Sequence, residues 1–313
     1  MNPIDAARPV PYPQHRDVFN DLDGAIRDYV LCGYARDEIL ADPDAIVVTQ
    51  GSCFARNLAA SLARLGARVA HLNVNEFINT TVANAVFFEH VFKRDERDPL
   101  LRRVFAETVS PAQVAEFREL VAGCAAFVLT IGVAPCWFEK ASGELVLQPG
   151  KGRFADFEMR TTTPAWNAAN IVRVIDAIRT VNRTATIFLT LSPAPLNYSF
   201  EFTSTIVGDC LSKSVLRVAI NDVLSAKPAG VRYWPSFEVV RWVGSHLGPV
   251  FGAEDDHPRH VSEFIVDAIV RSFIEAHGGK ASPAGAAPAE FDNTAPFTLA
   301  RNFRADALST PRT

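Results

Sequence analysis

The sequence lacks the cysteine pairs that mark metal-binding and disulfide-rich proteins. Its five cysteines, Cys32, Cys53, Cys124, Cys136 and Cys210, are widely spaced, and no two of them form a C-x-x-C pair. Structural zinc sites usually take their ligands from such tight pairs, so we expect no metal site. The odd number of cysteines also argues against a disulfide framework.

Long apolar runs and a strong charge of one sign are missing as well. No stretch reaches the ~18 consecutive apolar residues of a membrane span, and residues 1–20 hold no apolar core of a secretion signal. The formal net charge of −4 gives no electrostatic reason to expect nucleic acid or an anionic membrane as a partner. We therefore expect a cytoplasmic, reduced protein with no nucleic-acid partner and no membrane span.

The chain does contain enough apolar material for a large core. Hydrophobic residues make up 48% of it and charged residues 21%, which are ordinary values for a globular protein. Residues 1–16 are rich in proline and are predicted to be extended, whereas residues 280–313 show little apolar periodicity and are predicted to form a loosely ordered tail. The folded domain is then predicted to span residues 17–279.

Short apolar or β-branched runs alternate with helical patterns along this domain. The predicted strands are residues 45–49, 68–72, 126–131, 186–191 and 231–234. The predicted helices are residues 54–65, 81–91, 111–122, 166–181, 209–224 and 261–277, and glycine-rich turns predict a small β excursion at 138–155. Strands that alternate with helices indicate a parallel sheet covered on both faces. We predict a three-layer, flavodoxin-like α/β sandwich with a five-stranded parallel sheet in the order 2-1-3-4-5.

Sheets of this kind bind ligands beyond the carboxyl ends of their strands, where the strand order reverses. In the predicted order the turns Gln50–Phe54 and Gly132–Cys136 should therefore face each other. Gly51 allows a sharp turn from strand to helix, and Ser52 or Cys53 then lies at the helix N-terminus. The helix dipole and its unpaired amides stabilise a thiolate and later an oxyanion there. The turn predicts a nucleophile, although serine is also a common N-cap and cysteine a common small core residue.

The run Gly51-Ser-Cys-Phe-Ala55 resembles the signature of the GSCFA family, which is distantly related to the SGNH/GDSL hydrolases. Further blocks resemble that family in its own order, namely Asn75–Asn79, Leu129–Gly132, Leu189–Pro193, Ser212–Leu216, Tyr233–Glu238 and Asp255–His260. Together they run from about residue 46 to residue 275. The resemblance implies an SGNH-type fold and either ester hydrolysis or acyl transfer, often on carbohydrate.

The resemblance also bears on the nucleophile. In GDSL enzymes the nucleophilic serine is third in Gly-Asp-Ser, and the third position here is Cys53. We favour Cys53 because thiolates are intrinsically better nucleophiles and helix N-termini stabilise them. In the alternative, Ser52 attacks and Cys53 packs beneath it.

A nucleophile of this kind needs a general base, usually a histidine oriented by a carboxylate. Residues 254–262 supply His257 and His260 immediately before the last predicted helix. SGNH enzymes place the aspartate three residues ahead of the histidine. Here Asp256 is four residues ahead of His260, and Glu254 is three ahead of His257.

We favour His260 as the base, because the sequence after it resembles the usual continuation in the family. Asp256 is then expected to orient His260, with Asp255 as its rival. The other interpretation of this segment is a solvated acidic turn that favours the dipole of the following helix.

The SGNH resemblance implies oxyanion donors at the Cys53 amide, at a glycine amide and at an asparagine side chain. Gly132 ends the third strand but no asparagine follows it, so Asn75 and Asn79, after the second strand, are the candidate side-chain donors. Asn197, after the fourth strand, is a candidate substrate contact. Turn formation is the commoner use of such asparagines.

One more motif has two interpretations. The run Ser212-Lys213-Ser214 could bind a phosphate or a sugar acid near a helix start. As a lone motif it is more often a solvated helix turn.

These residues and the resemblance predict an SGNH-like esterase or O-acyl(acetyl)transferase that acts on a carbohydrate or glycan ester through a covalent acyl-enzyme. That chemistry requires no cofactor, and acetyl-CoA is a candidate donor. The alternative is a non-catalytic carbohydrate-binding or glycan-assembly protein that retains the fold. The imperfect spacing of aspartate and histidine and the missing asparagine after Gly132 favour this alternative.

Overall fold

A computed structural model of the protein describes residues 9–72, 76–93, 110–147, 149, 153–281 and 299–301. Its strands are β1 (Ile46–Gln50), β2 (Arg68–Leu72), β3 (Ala126–Ile131), β4 (Pro135–Glu139), β5 (Leu145–Val146), β6 (Phe157–Thr161), β7 (Thr186–Leu191), β8 (Val231–Tyr233) and β9 (Leu299–Arg301). Its main helices are α1 (Cys53–Arg64), α2 (Thr81–Phe88), α3 (Pro111–Gly123), α4 (Pro164–Arg179), α5 (Thr205–Ser225) and α6 (Glu263–Ala276). Short helical segments at Arg16–Asn20, Leu22–Ala25, Ile26–Val30, Glu76–Asn79, Glu89–Lys93, Phe154–Asp156, Ser236–Glu238, Val239–Val243 and Gly244–His246 connect them.

The predicted parallel sheet is confirmed, in the order β2-β1-β3-β7-β8. β9 adds an antiparallel strand beside β2. It lies within residues 280–313, whose sequence indicates a loosely ordered tail and carries no strand pattern. The small β excursion is a second, antiparallel sheet in the order β5-β4-β6.

Successive side chains of each strand point to opposite faces of the parallel sheet. Both faces are buried, because helices cover each of them. Val47 and Val128 pack against α1 and α6 on one face. Val48 and Phe127 pack in the core on the other face, which α2, α3, α4 and α5 cover. Within the described ranges, no helix is both long and apolar enough to cross a bilayer.

The turn from β1 to α1 requires a glycine at position 51. Gly51 has φ +140°, and a Cβ atom there would lie 2.4 Å from the carbonyl oxygen of Thr130. No side chain fits at that distance, and an L-residue would also be strained at that φ. The glycine therefore brings the start of α1 directly against the end of β3.

A buried histidine lies near the carboxyl end of β2, beside the end of β1. His71 in β2 is 2% exposed, and its Nδ1 lies 2.8 Å from Oγ1 of Thr49. Burial is the largest cause that lowers the pKa of His71, to about 3, and the charge of Arg56 contributes in the same direction. The imidazole is therefore neutral in the native protein over the ordinary pH range.

We expect Gly51→Ala to lower the free energy of unfolding by about 3 kcal/mol or more, because a backbone clash adds to the cost of a positive φ. Urea unfolding followed by circular dichroism measures the loss. Gly143→Ala is the matched control, since Gly143 has φ +70° but no atom within 4 Å of an added Cβ. We expect the control to lose only about 1 kcal/mol. Equal losses in the two variants would show that the close approach is not the cause.

We expect the free energy of unfolding to decrease as the pH falls from about 6.5 towards 3, because only the unfolded chain binds a proton at His71 in that window. The slope from this residue approaches about 1.4 kcal/mol per pH unit. His71→Gln should remove this part of the slope in urea unfolding curves recorded across the window. His15→Gln, at an exposed histidine, should keep the wild-type slope. A wild-type slope in His71→Gln would refute the assignment.

Candidate active site

Cys53 is the first residue of α1, and Ser52 is its N-cap. The Ser52 side chain makes no capping hydrogen bond to the helix, and its Oγ lies 3.1 Å from Oγ of Ser192, which follows β7. The first amides of a helix have no acceptor within the helix, so the positive end of the α1 dipole lies at Cys53. Both candidate nucleophiles therefore lie at the helix N-terminus, as the sequence predicts.

Cys53 opens onto a cavity of about 290 Å³ between α1 and the segment that leads into α6. On the α1 side Cys53 is joined by Arg56, and the opposite wall carries Asp255 and His260. The described residues that line this cavity include Cys53 but not Ser52. The cavity therefore brings one of the two candidate nucleophiles together with one of the two candidate bases.

His260 forms a pair with a carboxylate. Its Nδ1 lies 2.5 Å from Oδ2 of Asp255, and both side chains are 47% exposed. The hydrogen bond to His260 is the main cause that lowers the pKa of Asp255, and the amide of His257, which donates to Oδ1, adds to it. The His257 ring stacks on the His260 ring with 4.0 Å between their centroids.

This pairing corrects the expectation that Asp256 orients His260. Asp256 has a left-handed backbone with φ 57°, and its amide donates to the carbonyl of Gly252. A residue in that conformation closes a tight turn, and the turn directs Asp255 rather than Asp256 towards the imidazole. The structure instead pairs His260 with Asp255, the rival carboxylate, which lies five residues ahead of it.

The turn after β3 lies against the turn after β1, as predicted. A Cβ atom on Gly132 would lie 3.9 Å from Cβ of Ser52 and 3.9 Å from Cβ of Ser192. The carboxyl ends of β1, β3 and β7 therefore meet at one point. This is the reversal in strand order at which open α/β sheets bind their ligands.

The three candidate asparagines are placed differently. Asn75 lies outside the described residues. The residue after Asn79, Thr80, forms a bridge with Val133, so Asn79 lies close to the Gly132 turn. The Oδ1 atom of Asn79 is buried and has no hydrogen-bond partner among the described residues. Asn197 is exposed in the loop after β7, and donor or substrate roles for these residues stay predictions.

A buried charge beside the site was missed from the sequence. Lys213 in α5 is 4% exposed, and its Nζ donates a hydrogen bond of 2.8 Å to the carbonyl oxygen of Gly132. This burial excludes the solvated-turn interpretation of Ser212-Lys213-Ser214. Asp209 lies one helical turn earlier, with its Oδ1 4.0 Å from Nζ, but such a pair is typical of an exposed helix face and gave no signal of burial.

Two further findings concern the chemistry of the site. Each of the five cysteines carries a thiol rather than a disulfide. Among the described residues, no group of three or more histidine, cysteine, aspartate or glutamate side chains is arranged to hold a metal ion.

Among solved structures, the chain is similar to the crystal structure of a Corynascus thermopiles (Myceliophthora fergusii) carbohydrate esterase family 2 (CE2) enzyme plus carbohydrate binding domain. The TM-score is 0.36 and the sequence identity 12%, and the match covers 75% of this chain and 66% of that chain. No curated protein matches the chain.

The GSCFA family pattern matches residues 46–273, which is well over half of the chain. The matched region begins at β1 and ends in α6, so it contains the Cys53 turn, the Gly132 turn and the His260 segment. The protein belongs to the GSCFA family.

Proposed function

We propose that the protein is an acyl-group enzyme, an esterase or O-acyl(acetyl)transferase that acts on a carbohydrate or glycan ester through a covalent acyl-enzyme. The observation that carries the proposal is the cavity shared by Cys53, at the N-terminus of α1, and the His260–Asp255 pair. A nucleophile at a helix N-terminus beside a histidine held by a carboxylate is the arrangement that acyl transfer requires.

Cys53 is the nucleophile in this proposal. Its thiolate attacks the ester or thioester carbonyl carbon, a C–S bond forms, and the electron pair moves to the carbonyl oxygen. The positive end of the α1 dipole stabilises that oxyanion, and the Gly132 turn lies beside it. Collapse of the intermediate breaks the bond to the alcohol or thiol and leaves the acyl group on Cys53.

His260 moves the protons. It takes the thiol proton of Cys53 and gives it to the departing alcohol or thiol. It then takes a proton from the acceptor as the acceptor oxygen attacks the acyl carbon; the C–S bond breaks, and the proton returns to the Cys53 sulfur. Asp255 engages Nδ1 of His260, which leaves Nε2 for proton transfer and stabilises the imidazolium. Water as the acceptor completes hydrolysis, and a sugar hydroxyl completes transfer. In the transferase form, acetyl-CoA is the donor and the protein works in the cytoplasm.

Cys53 is favoured over Ser52 by the surroundings of the two side chains. The Ser52 hydroxyl is hydrogen-bonded to Ser192, whereas Cys53 lines the cavity that contains His260. Both side chains are half-buried, so exposure does not separate them.

Peptide mass spectrometry tests the nucleophile directly. Incubation with acetyl-CoA or p-nitrophenyl acetate should leave an acetyl group on Cys53, because the thiolate forms the acyl-enzyme. Cys53→Ala should abolish the adduct, and Ser52→Ala, at the same turn, should retain it. An adduct on Ser52 would move the role by one residue. No adduct with any donor would instead support a non-catalytic binding protein.

A second test separates the two adjacent carboxylates. We expect Asp255→Asn to lower the turnover of p-nitrophenyl acetate about a hundredfold, since a neutral amide no longer stabilises the imidazolium of His260. Asp256→Asn is the matched control and should keep most of the activity, because asparagine tolerates the left-handed backbone at that position. Equal losses in the two variants, or a loss confined to Asp256→Asn, would remove the orienting role from Asp255.

A further inference from the structure

Lys213 is a buried cation bonded to the Gly132 turn, which lies beside Ser52 and Cys53. We infer that Lys213 is a positioning residue for the acyl-enzyme reaction: it fixes the Gly132 turn beside Cys53 and stabilises negative charge on the Cys53 sulfur. This inference rests on the proposed function, since it assigns the residue a part in that reaction.

The first part of the inference follows from two consecutive residues of α5. The ammonium of Lys213 donates to the Gly132 carbonyl oxygen at 2.8 Å, and Oγ of Ser212 accepts from the Ala134 amide at 3.0 Å. Both side chains are buried, so water does not compete for these bonds. α5 therefore holds the turn at Gly132 and at Ala134, and Gly132 lies against Ser52.

The same group of charges holds the loop after β7. Asp209 accepts from the Leu196 amide through Oδ1 at 2.9 Å and from Arg241 through Oδ2 at 3.0 Å. Arg241 also donates to the Pro193 carbonyl at 3.1 Å. Because this loop begins at Ser192, the partner of Ser52, two of the three strand ends at the site are tied to one ionic cluster.

The second part follows from the position of the ammonium and from the charges around it. Lys213 Nζ is bonded to Gly132, and Gly132 lies against Ser52, the residue before Cys53. Burial lowers the pKa of Lys213 to about 8; Asp209 and Cys53 raise it, while Arg241 and Arg259 lower it further. Asp209 is the carboxylate beside the ammonium, and a thiolate at Cys53 adds a second negative charge that acts on it. Buried charge without compensation is costly, and a thiolate at Cys53 reduces that cost.

The attraction between Lys213 and the thiolate is mutual. A thiolate at Cys53 stabilises the ammonium of Lys213. Because linkage is reciprocal, the ammonium stabilises the thiolate by the same free energy. Lys213 thus acts on the reacting sulfur without touching the substrate.

The cavity side of Cys53 carries charges of both signs. α1 contributes Arg56 and Arg64, and Arg64 pairs with Asp267. The opposite wall contributes the carboxylates of Glu254, Asp255 and Glu263, together with His260. The groups of the opposite wall are exposed to solvent and are screened more strongly than a buried ammonium. Lys213, in contrast, is buried and acts on Cys53 from the interior of the protein.

The pH dependence of Cys53 alkylation tests the inference without any substrate. Iodoacetamide labelling is followed by peptide mass spectrometry, with the exposed Cys32 and Cys210 as internal references. In Lys213→Met we expect the Cys53 midpoint to rise by about one pH unit, which lowers its rate at neutral pH about tenfold. Lys213→Arg should retain a midpoint close to that of the wild type, because the charge is kept.

Ser212→Ala is the matched control for the turn. It removes the bond to the Ala134 amide but no charge, so the Cys53 midpoint should stay at the wild-type value. An unchanged Cys53 midpoint in folded Lys213→Met would overturn the inference. So would equal shifts in Lys213→Met and Ser212→Ala, because the shift would then report a disturbed turn rather than a lost charge.

A second measurement leaves Lys213 in place, in case its replacement prevents folding. The chain has six lysines, so the ¹³Cε resonance of Lys213 can be followed through a pH titration. Cys53→Ala should shift the Lys213 titration to lower pH, and an unshifted titration would overturn the inference. An acyl adduct on wild-type Cys53 together with either negative result would remove the role of Lys213 and leave the proposed function standing.

Discussion

The site depends on the contact between Gly51 and the carbonyl oxygen of Thr130. Because no Cβ atom fits there, the chain leaves β1 against the end of β3, and α1 begins at the point where three strands end. The position of Cys53, the direction of the α1 dipole and the neighbourhood of Gly132 all follow from this one turn. The cavity beside Cys53 then needs only the segment before α6 as its second wall.

Two groups of polar side chains lie near this turn, and they differ in their exposure to solvent. In the protein interior, Lys213 and Asp209 are buried and hydrogen-bonded to backbone groups. They fix the positions of the turn after β3 and the loop after β7. On the cavity side, the paired side chains of His260 and Asp255 are about half-exposed. Lys213 and Asp209 thus fix the backbone of the site, whereas His260 and Asp255 stay accessible from the cavity.

The sheet could be predicted from the sequence because its signal is local. Every residue in the runs 126–131 and 186–191 is either apolar or β-branched, and the alternation of such runs with helices indicates a parallel sheet. The turn at Gly51 was equally local. The partner of His260 was not, because a left-handed residue at Asp256 decides which carboxylate points inward, and aspartate carries no strong signal for that conformation. The burial of Lys213 was hidden as well, since a lysine one turn after an aspartate is typical of a solvated helix face.

β9 has a consequence for how copies of this protein meet. The outer edge of a strand offers unpaired amide and carbonyl groups to any other extended chain. Leu299–Arg301 occupies that edge of β2, although these residues are far from it in sequence. The outer groups of β2 are therefore paired within the same chain, and an extended segment of another molecule does not find them free.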